Sequence, residues 1–169
     1  VKLARGTHDT LNDRLVNVDE IQAQTNAQLS HKVNAQDLHY VNVKTPPIPF
    51  VGAKGDGIAD DTEAIQNLIN NFENILIPCG TFLVSTINLW PKKTIFGVGK
   101  HSSILKCNTA GMDVIRCEMD GTGYEQCQIH DLFIDGNKVA NRAIYVNRTT
   151  TSIHDTWANI YNVLVKNCT

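Results

Sequence analysis

Acidic residues with the potential for proton-transfer chemistry lie close together in one short stretch of the sequence. Asp56 is followed by the adjacent pair Asp60 and Asp61. Paired carboxylates can act as acid and base, or share a cation. A helix start explains this pair equally: Asp60 suits an N-cap with Glu63 three residues later, and Asp61 would lie at the positive end of the helix dipole. We therefore assign these residues no catalytic role and no metal.

His-Asp dipeptides occur at 130–131 and 154–155. In such a pair the histidine can act as a general base and the aspartate can orient its ring. Neighbouring residues on a strand point to opposite faces. We therefore expect one member of each pair to be buried and the other exposed. Trp90 and Trp157 can stack on sugar rings, although packing explains Trp90 before Pro91 as well.

The sequence thus predicts no catalytic residue, no metal ligand and no cofactor, and it leaves the glycan-binding residues open.

Five cysteines are present, and an odd number argues against a closed disulfide framework. No Cys-x-x-Cys pair or zinc-type spacing occurs. We predict reduced, small apolar side chains within a core. The residues are Cys79, Cys107, Cys117, Cys127 and Cys168.

Composition limits the class of protein. Hydrophobic residues make up 42% of the 169 residues and charged residues 19%, as in a folded chain. The net charge of -2 gives no reason to expect a nucleic-acid partner. No apolar run approaches the roughly 20 residues of a membrane span. The sequence opens without an apolar leader and without Met, so we expect either a processed product or a part of a longer gene product.

The chain has two regions of different character, 1–45 and 46–169, joined at the proline-rich segment 45–49. The first has a helical pattern from about Thr10 to Leu38. Its apolar seam has heptad-type spacing but is weak, because two of its positions are polar. We expect copies of this coiled-coil-like stalk to associate; the alternative is a helix lying against another protein. The seam is Leu11, Leu15, Val18, Gln22, Thr25 and Leu29.

The second region opens with a glycine-rich turn and a short amphipathic helix. Gly55 and Gly57 allow a tight turn with positive φ. The helix, at about 61–72, has one apolar stripe that must cover an apolar surface. The stripe is Ala64, Ile65, Leu68, Ile69 and Phe72.

Short apolar runs follow the helix, each the length of a strand. The run 129–136 matches 160–167 in its apolar, polar and turn positions, and such an offset indicates the coils of a solenoid. We predict a mainly β fold: a right-handed, single-stranded parallel β-helix, cut off before completion and capped by the helix at 61–72. The alternative is a sandwich or jelly roll built from the same strands.

Three motifs carry a resemblance to the pectate-lyase-like β-helix domains of phage tailspikes. They are the stretch from Gly52 to Gln66, the turn 78–82 and Gly97-Val98-Gly99. The segments 4–7 and 10–15 resemble the anchoring segments of Bacillus phage fibre and spike proteins. Together they look like the pre-neck appendage family of phi29-like phages.

The resemblance implies a homotrimer in the virion, anchored to collar or connector proteins by the stalk. It also implies adsorption to a host cell-wall glycan, teichoic acid among the candidates, and glycan cleavage on later coils. We expect residues 1–169 alone to be non-catalytic. The alternatives are a polysaccharide lyase or glycoside hydrolase of the same fold with an N-terminal extension, and a purely structural trimeric linker.

Overall fold

The computed structural model describes residues 20–22, 40–119, 125–148 and 156–169, and it divides the chain into two compact units, 1–38 and 39–169. In the first unit, Glu20 to Gln22 are helical. The rest of the predicted stalk helix and seam, and the pair at 154–155, lie outside the described residues. The second unit starts before the proline-rich segment at which the sequence was divided, because strand Val41–Asn42 already pairs within it.

The second unit consists of short strands and one helix, α1. The helix is Thr62–Asn71. The strands are β1 Val41–Asn42, β2 Asp56–Asp60, β3 Asn74–Ile77, β4 Gly80–Val84, β5 Ile87–Leu89, β6 Thr94–Gly97, β7 Ser103–Cys107, β8 Asp113–Met119, β9 Glu125–His130, β10 Phe133–Asp135, β11 Arg142–Arg148, β12 Thr156–Tyr161 and β13 Leu164–Lys166.

The strands form three parallel sheets. The first sheet has the order β1-β3-β6-β9-β12, the second β2-β4-β7-β10-β13 and the third β5-β8-β11. Three successive coils each contribute one strand to each sheet in turn, as β6, β7 and β8 do. This is a single-stranded parallel β-helix, as predicted; its right-handed sense stays a prediction. The alternative of a sandwich or jelly roll fails, because the strands pair in parallel along all three sheets of the described residues.

The repeat found in the sequence corresponds to successive coils. Ile129 pairs with Ile160, and Phe133 with Leu164. Asp131 and Asn162, at the corner between these strands, are also 31 residues apart and hydrogen-bonded to each other. Ile129 and Ile134 of the earlier coil point into the core and are fully buried, whereas their counterparts Ile160 and Val165 in the last described coil are half-exposed.

Helix α1 takes the place in the first coil that a strand of the third sheet takes in later coils. It follows β1 and β2 as β5 follows β3 and β4. Its buried residues Ile65, Leu68 and Ile69 pack at this end of the core, and the helix contacts β3 and β5. The predicted role of an end cap is therefore confirmed.

The predicted capping box is wrong. The N-cap residue is Asp61, not Asp60, and no side chain caps the helix. Asp60 instead accepts hydrogen bonds from the backbone N–H and the hydroxyl of Thr62. Asp61 turns inward, and its carboxylate accepts hydrogen bonds from the backbone N–H groups of Lys54 and Gly55. Two buried backbone N–H groups without an acceptor would cost more free energy than an uncapped, exposed helix end. The Asp61 carboxylate therefore bonds to the turn and not to the helix.

All five cysteines are free, and Cys107, Cys117 and Cys127 are buried in the β-helix interior as predicted. The core prediction is wrong for Cys79, which is exposed, and Cys168 is only partly buried. Cys107, Cys117 and Cys127 replace aliphatic side chains in the stacks of the core. A hydrogen bond with Cys127, followed by burial, raises the pKa of the Cys117 thiol, so it stays neutral. Among the described helices, none is long and apolar enough to cross a membrane.

Candidate functional site

A row of polar side chains crosses the outer face of the third sheet. Asn88 of β5 pairs with Arg116 of β8, and Arg116 pairs with Tyr145 of β11. Ile115 and Cys117, on either side of Arg116, are buried in the core. Since side chains alternate along a strand, Arg116 points outward. The row runs along the β-helix axis, at right angles to the strands.

A second row lies beside the first. Glu118 of β8 pairs with Asn147 of β11. The Glu118 carboxylate accepts a hydrogen bond from the Asn147 amide at 3.0 Å and forms an ion pair with Arg116 at 2.9 Å. The two rows are therefore joined into one hydrogen-bonded network on the sheet surface.

Two guanidinium groups flank the ring of Tyr145. The Arg142 group lies 3.9 Å from the ring centroid and the Arg116 group 5.3 Å. Arg142 also donates two hydrogen bonds to the buried carboxylate of Asp113, at 2.7 and 3.0 Å. These bonds raise the pKa of Arg142 above its ordinary value. Cation–π contacts hold the ring in place, and the nearer guanidinium, that of Arg142, lies over one of its faces.

Helix α1 forms one wall of a cleft at the N-terminal end of this face. The Gln66 amide donates to the backbone oxygen of Asn88 at 3.0 Å and accepts from its backbone nitrogen at 2.8 Å. This bridge fixes the helix to the edge of β5. The cleft has a volume of about 490 Å³, and its lining is polar: Asp60, Thr62, Glu63, Gln66, Asn67, Thr86 and Asn88.

The cleft and the two rows offer carboxylates, amides and guanidinium groups to the same side of the molecule. Such groups match the hydroxyl groups of a glycan, which both donate and accept hydrogen bonds. The carboxylates of Glu118 and Asp113 each bind an arginine, so the arrangement is suited to binding more than to proton transfer. Among the described residues, no group of three or more His, Cys, Asp or Glu side chains is placed to hold a metal ion.

The His130-Asp131 pair departs from the expectation of opposite faces. The two side chains meet, with 2.7 Å between His130 Nδ1 and Asp131 Oδ2. Strand β9 ends at His130, and Asp131 has a φ of 57°, so the strand alternation stops between them. The hydrogen bond from His130, followed by that from Asn162, holds the pKa of Asp131 below its ordinary value.

His130 belongs to a column of stacked rings on the first sheet, apart from the third-sheet face. Its ring lies 5.3 Å from that of Phe96 and 4.5 Å from that of Tyr161, nearly parallel to both. Tyr40 meets the Phe96 ring edge-on at 5.8 Å. The imidazole faces are covered by neighbours, which favours a packing role for His130.

The two tryptophans are half-exposed and occupy different elements. Trp157 lies on β12 of the first sheet and is 49% exposed, while Trp90 follows β5 and is 45% exposed. Sequence reasoning overlooked Arg116, Glu118, Tyr145 and Asn147. Two signals were available in the sequence. Arg116 and Glu118 alternate with the apolar Ile115 and Cys117, which indicates that they point outward. The coil repeat places Tyr145 and Asn147 beside them in the next coil.

The geometry of this unit agrees with a family model over most of the chain. The description "Rhamnogalacturonase A/epimerase, pectate lyase-like" matches residues 40–169. The chain belongs to this pectate lyase-like family. The match starts at the first residues of the β-helix and includes α1 and all three sheets.

Two curated relatives of this pectate lyase-like chain are phage proteins. The preneck appendage protein of Bacillus phage PZA is 34% identical over 101 residues, and the pre-neck appendage protein of Bacillus phage phi29 is 33% identical over 101 residues. The match covers 57% of this chain but only 11% of each relative's length.

Two solved structures share the pectate lyase-like fold. The A-module of the Azotobacter vinelandii mannuronan C-5 epimerase AlgE6 superposes with a TM-score of 0.60 at 21% identity, covering 74% of this chain and 37% of that one. The corresponding AlgE4 A-module gives a TM-score of 0.57 at 22% identity, covering 76% and 38%. At this identity the likeness concerns the fold alone.

Proposed function

We propose that this chain is part of a phage virion appendage that attaches the particle to a glycan of the host cell wall. The observation that carries the proposal is the similarity to two pre-neck appendage proteins, over a chain that folds as a capped β-helix. A virion location is the part that this similarity supports directly. Attachment to a glycan is a further step, supported by the polar face of the third sheet.

The two regions of the chain would have different roles in the appendage. Residues 1–38 would anchor the appendage to collar or connector proteins of the virion, and copies of the chain would form a homotrimer. The heptad-type seam in the sequence favours this arrangement. Residues 39–169 would start the β-helix, with α1 closing one end of its core.

The third-sheet face is the strongest candidate in the described residues for contact with the glycan. It combines arginine, carboxylate, amide and phenol groups within neighbouring rows. Arg116 is central, because it pairs with Asn88 on one side and Tyr145 on the other. A phosphate-bearing cell-wall glycan such as teichoic acid would compete with Glu118 for this guanidinium, since arginine binds both groups through paired hydrogen bonds.

A polysaccharide-processing enzyme is the second candidate, favoured by the family's description as rhamnogalacturonase and epimerase. The two candidates differ in turnover. An attachment protein retains glycan without changing it, whereas an enzyme shortens or modifies the chain. We expect residues 1–169 to release no phosphate monoesters from teichoic acid, and no reducing ends or unsaturated sugars from pectin.

Binding to purified Bacillus cell walls, with and without wall teichoic acid, tests the proposal. We expect the chain to sediment with walls, and Arg116→Gln to weaken retention about tenfold, since a charge-assisted hydrogen bond contributes about 1.5 kcal/mol. Lys106→Gln is the matched control: Lys106 lies on β7 of the second sheet, paired with Asp135. Equal loss in both variants would indicate a nonspecific charge effect, and retention unchanged by Arg116→Gln would remove the third-sheet face from the proposal.

A further inference from the structure

The outer face of the first sheet differs in charge from the outer faces of the other two. Its outward positions follow from the burial of Ile75, Ile95, Cys127 and Ile129 between them. The outward side chains among the described residues are amides, a hydroxyl, an aliphatic group, an imidazole and aromatic rings: Asn42, Asn74, Leu76, Thr94, Phe96, Gln126, Gln128, His130, Trp157, Asn159 and Tyr161.

None of these described side chains is a lysine, arginine, aspartate or glutamate. The second sheet instead carries the column Lys106, Asp135 and Lys166, and the third carries Arg116 and Glu118. Charged residues occur at the ends of its strands: Glu73 precedes β3, Lys92 and Lys93 precede β6, Glu125 begins β9 and Asp131 follows it. A sheet face exposed to water ordinarily carries charged residues. Only the first of the three sheets lacks them among these outward positions, which indicates that another protein surface covers this face.

The chemistry of this face suits identical copies. At a rotational symmetry axis each side chain faces copies of itself, so a lysine or glutamate there would meet its own charge. Amides donate and accept, and can therefore pair with their own copies. Interface centres are likewise depleted of charge and enriched in aromatic residues.

We propose that the outer face of the first sheet is the surface through which copies of this chain contact one another. This inference rests on the self-association in the proposed function and names the surface that carries it. The central column is Thr94, Gln128 and Asn159, which pair across β6, β9 and β12. The column of stacked rings from Phe96 to Tyr161 lies beside it and keeps the surface rigid.

The size of the face predicts the strength of the contact. Five strands spaced about 4.8 Å apart, with two or three outward residues each, give a surface of a few hundred Å², below the roughly 800 Å² that each partner gives to a standard interface. We therefore expect association of the 169-residue chain to be weak and concentration-dependent, and best captured by cross-linking.

Sedimentation velocity over a range of concentrations and disulfide trapping test the face on the full chain. We expect wild type to associate, and Gln128→Lys to move the equilibrium at least tenfold toward monomer. Thr81→Lys is the matched control, because Thr81 lies on the second sheet and pairs with Ile104. In a Cys79→Ser background, Asn159→Cys should form a disulfide between copies, and Lys106→Cys should not.

The outcomes separate this inference from the proposal it rests on. Wild type that stays monomeric and untrapped at every concentration overturns both the self-association and the face. Oligomers that withstand Gln128→Lys and are trapped through Lys106→Cys leave the assembly standing and overturn the face. A monomer that retains a neutral glycan through Gln128, and loses it in Gln128→Lys, reassigns the face to glycan binding.

Discussion

The carboxylate of Asp61 holds the turn at Gly55, with 3.0 Å between its Oδ2 and the Gly55 nitrogen. Its Oδ1 accepts a second hydrogen bond from Lys54 at 2.6 Å. Asp61 is only 2% exposed, so the turn depends on this side chain where water has no access. One residue thereby joins the start of α1 to the glycine-rich segment before β2.

Replacing Asp61 by alanine should destabilise the β-helix strongly. The change leaves two backbone N–H groups without their acceptor, and bonds to charged groups contribute about 1.5–3 kcal/mol each. We expect urea unfolding to show a loss of about 3 kcal/mol. Asp60→Ala is the control, because Asp60 is exposed and its hydrogen bonds are with Thr62 and Asn108 at the surface; it should cost about 1 kcal/mol or less. Equal losses in the two variants would contradict the role given to Asp61.

Gly55→Ala should also destabilise the chain, for two separable reasons. Gly55 has a φ of 61°, and a Cβ there would lie 2.6 Å from the Phe82 ring. Gly111 has a φ of 73° with nothing within 4 Å of the same position. We expect Gly111→Ala to cost about 1 kcal/mol from backbone strain alone, and Gly55→Ala about 2–4 kcal/mol because overpacking adds to the strain. Similar melting temperatures for the two variants would show that Phe82 moves aside freely.

The coils, the end cap and the core could be predicted because each leaves a periodic or spaced signal. Ile129 and Ile134 recur as Ile160 and Val165, and the apolar stripe of α1 has helical spacing. The polar contacts left no such signal. Whether Asp60 or Asp61 caps α1 depends on the path of the chain near Gly55, which sequence spacing does not determine.

The surface network was missed, because alternation shows which side chains point outward but not which of them pair across strands. Arg116 and Tyr145 meet only because β8 and β11 pair in one register, and a shift of one residue would turn Tyr145 inward. His130 and Asp131 meet because Asp131 adopts a positive φ, which a strand pattern does not indicate. The contact between Arg116 and Tyr145 therefore depends on strand register, and the contact between His130 and Asp131 on the conformation of one residue.

Acid should remove the contribution of Asp131 to stability. Hydrogen bonds from His130 and then Asn162 lower its folded-state pKa below the usual 3.8, so its carboxylate stabilises the fold above that pH. This contribution is lost as the pH falls through the lowered pKa. The difference in unfolding free energy between wild type and Asp131→Asn should be largest near neutral pH and shrink below about pH 4. A difference that stays constant from pH 7 to pH 3 would contradict an ionised role.

The pair of Arg142 and Asp113 should show strong energetic coupling. Asp113 is buried, and its two hydrogen bonds come from a guanidinium that also lies on the Tyr145 ring. Arg142→Ala leaves a buried carboxylate without a counter-charge, and we expect a loss of about 2–3 kcal/mol, below the full cost of a wholly buried pair because Arg142 is half-exposed.

A double-mutant cycle with Asp113→Asn and Arg142→Ala isolates the interaction energy between the two side chains. We expect a coupling energy of about 1–3 kcal/mol, measured by urea unfolding. Arg142→Lys keeps the charge but loses the paired hydrogen bonds and the planar contact with Tyr145, so it should recover less than half of the loss. Additive effects in the cycle, or full recovery by lysine, would mean that position 142 requires only a positive charge. The bidentate bond would then contribute nothing specific to holding β11 against β8.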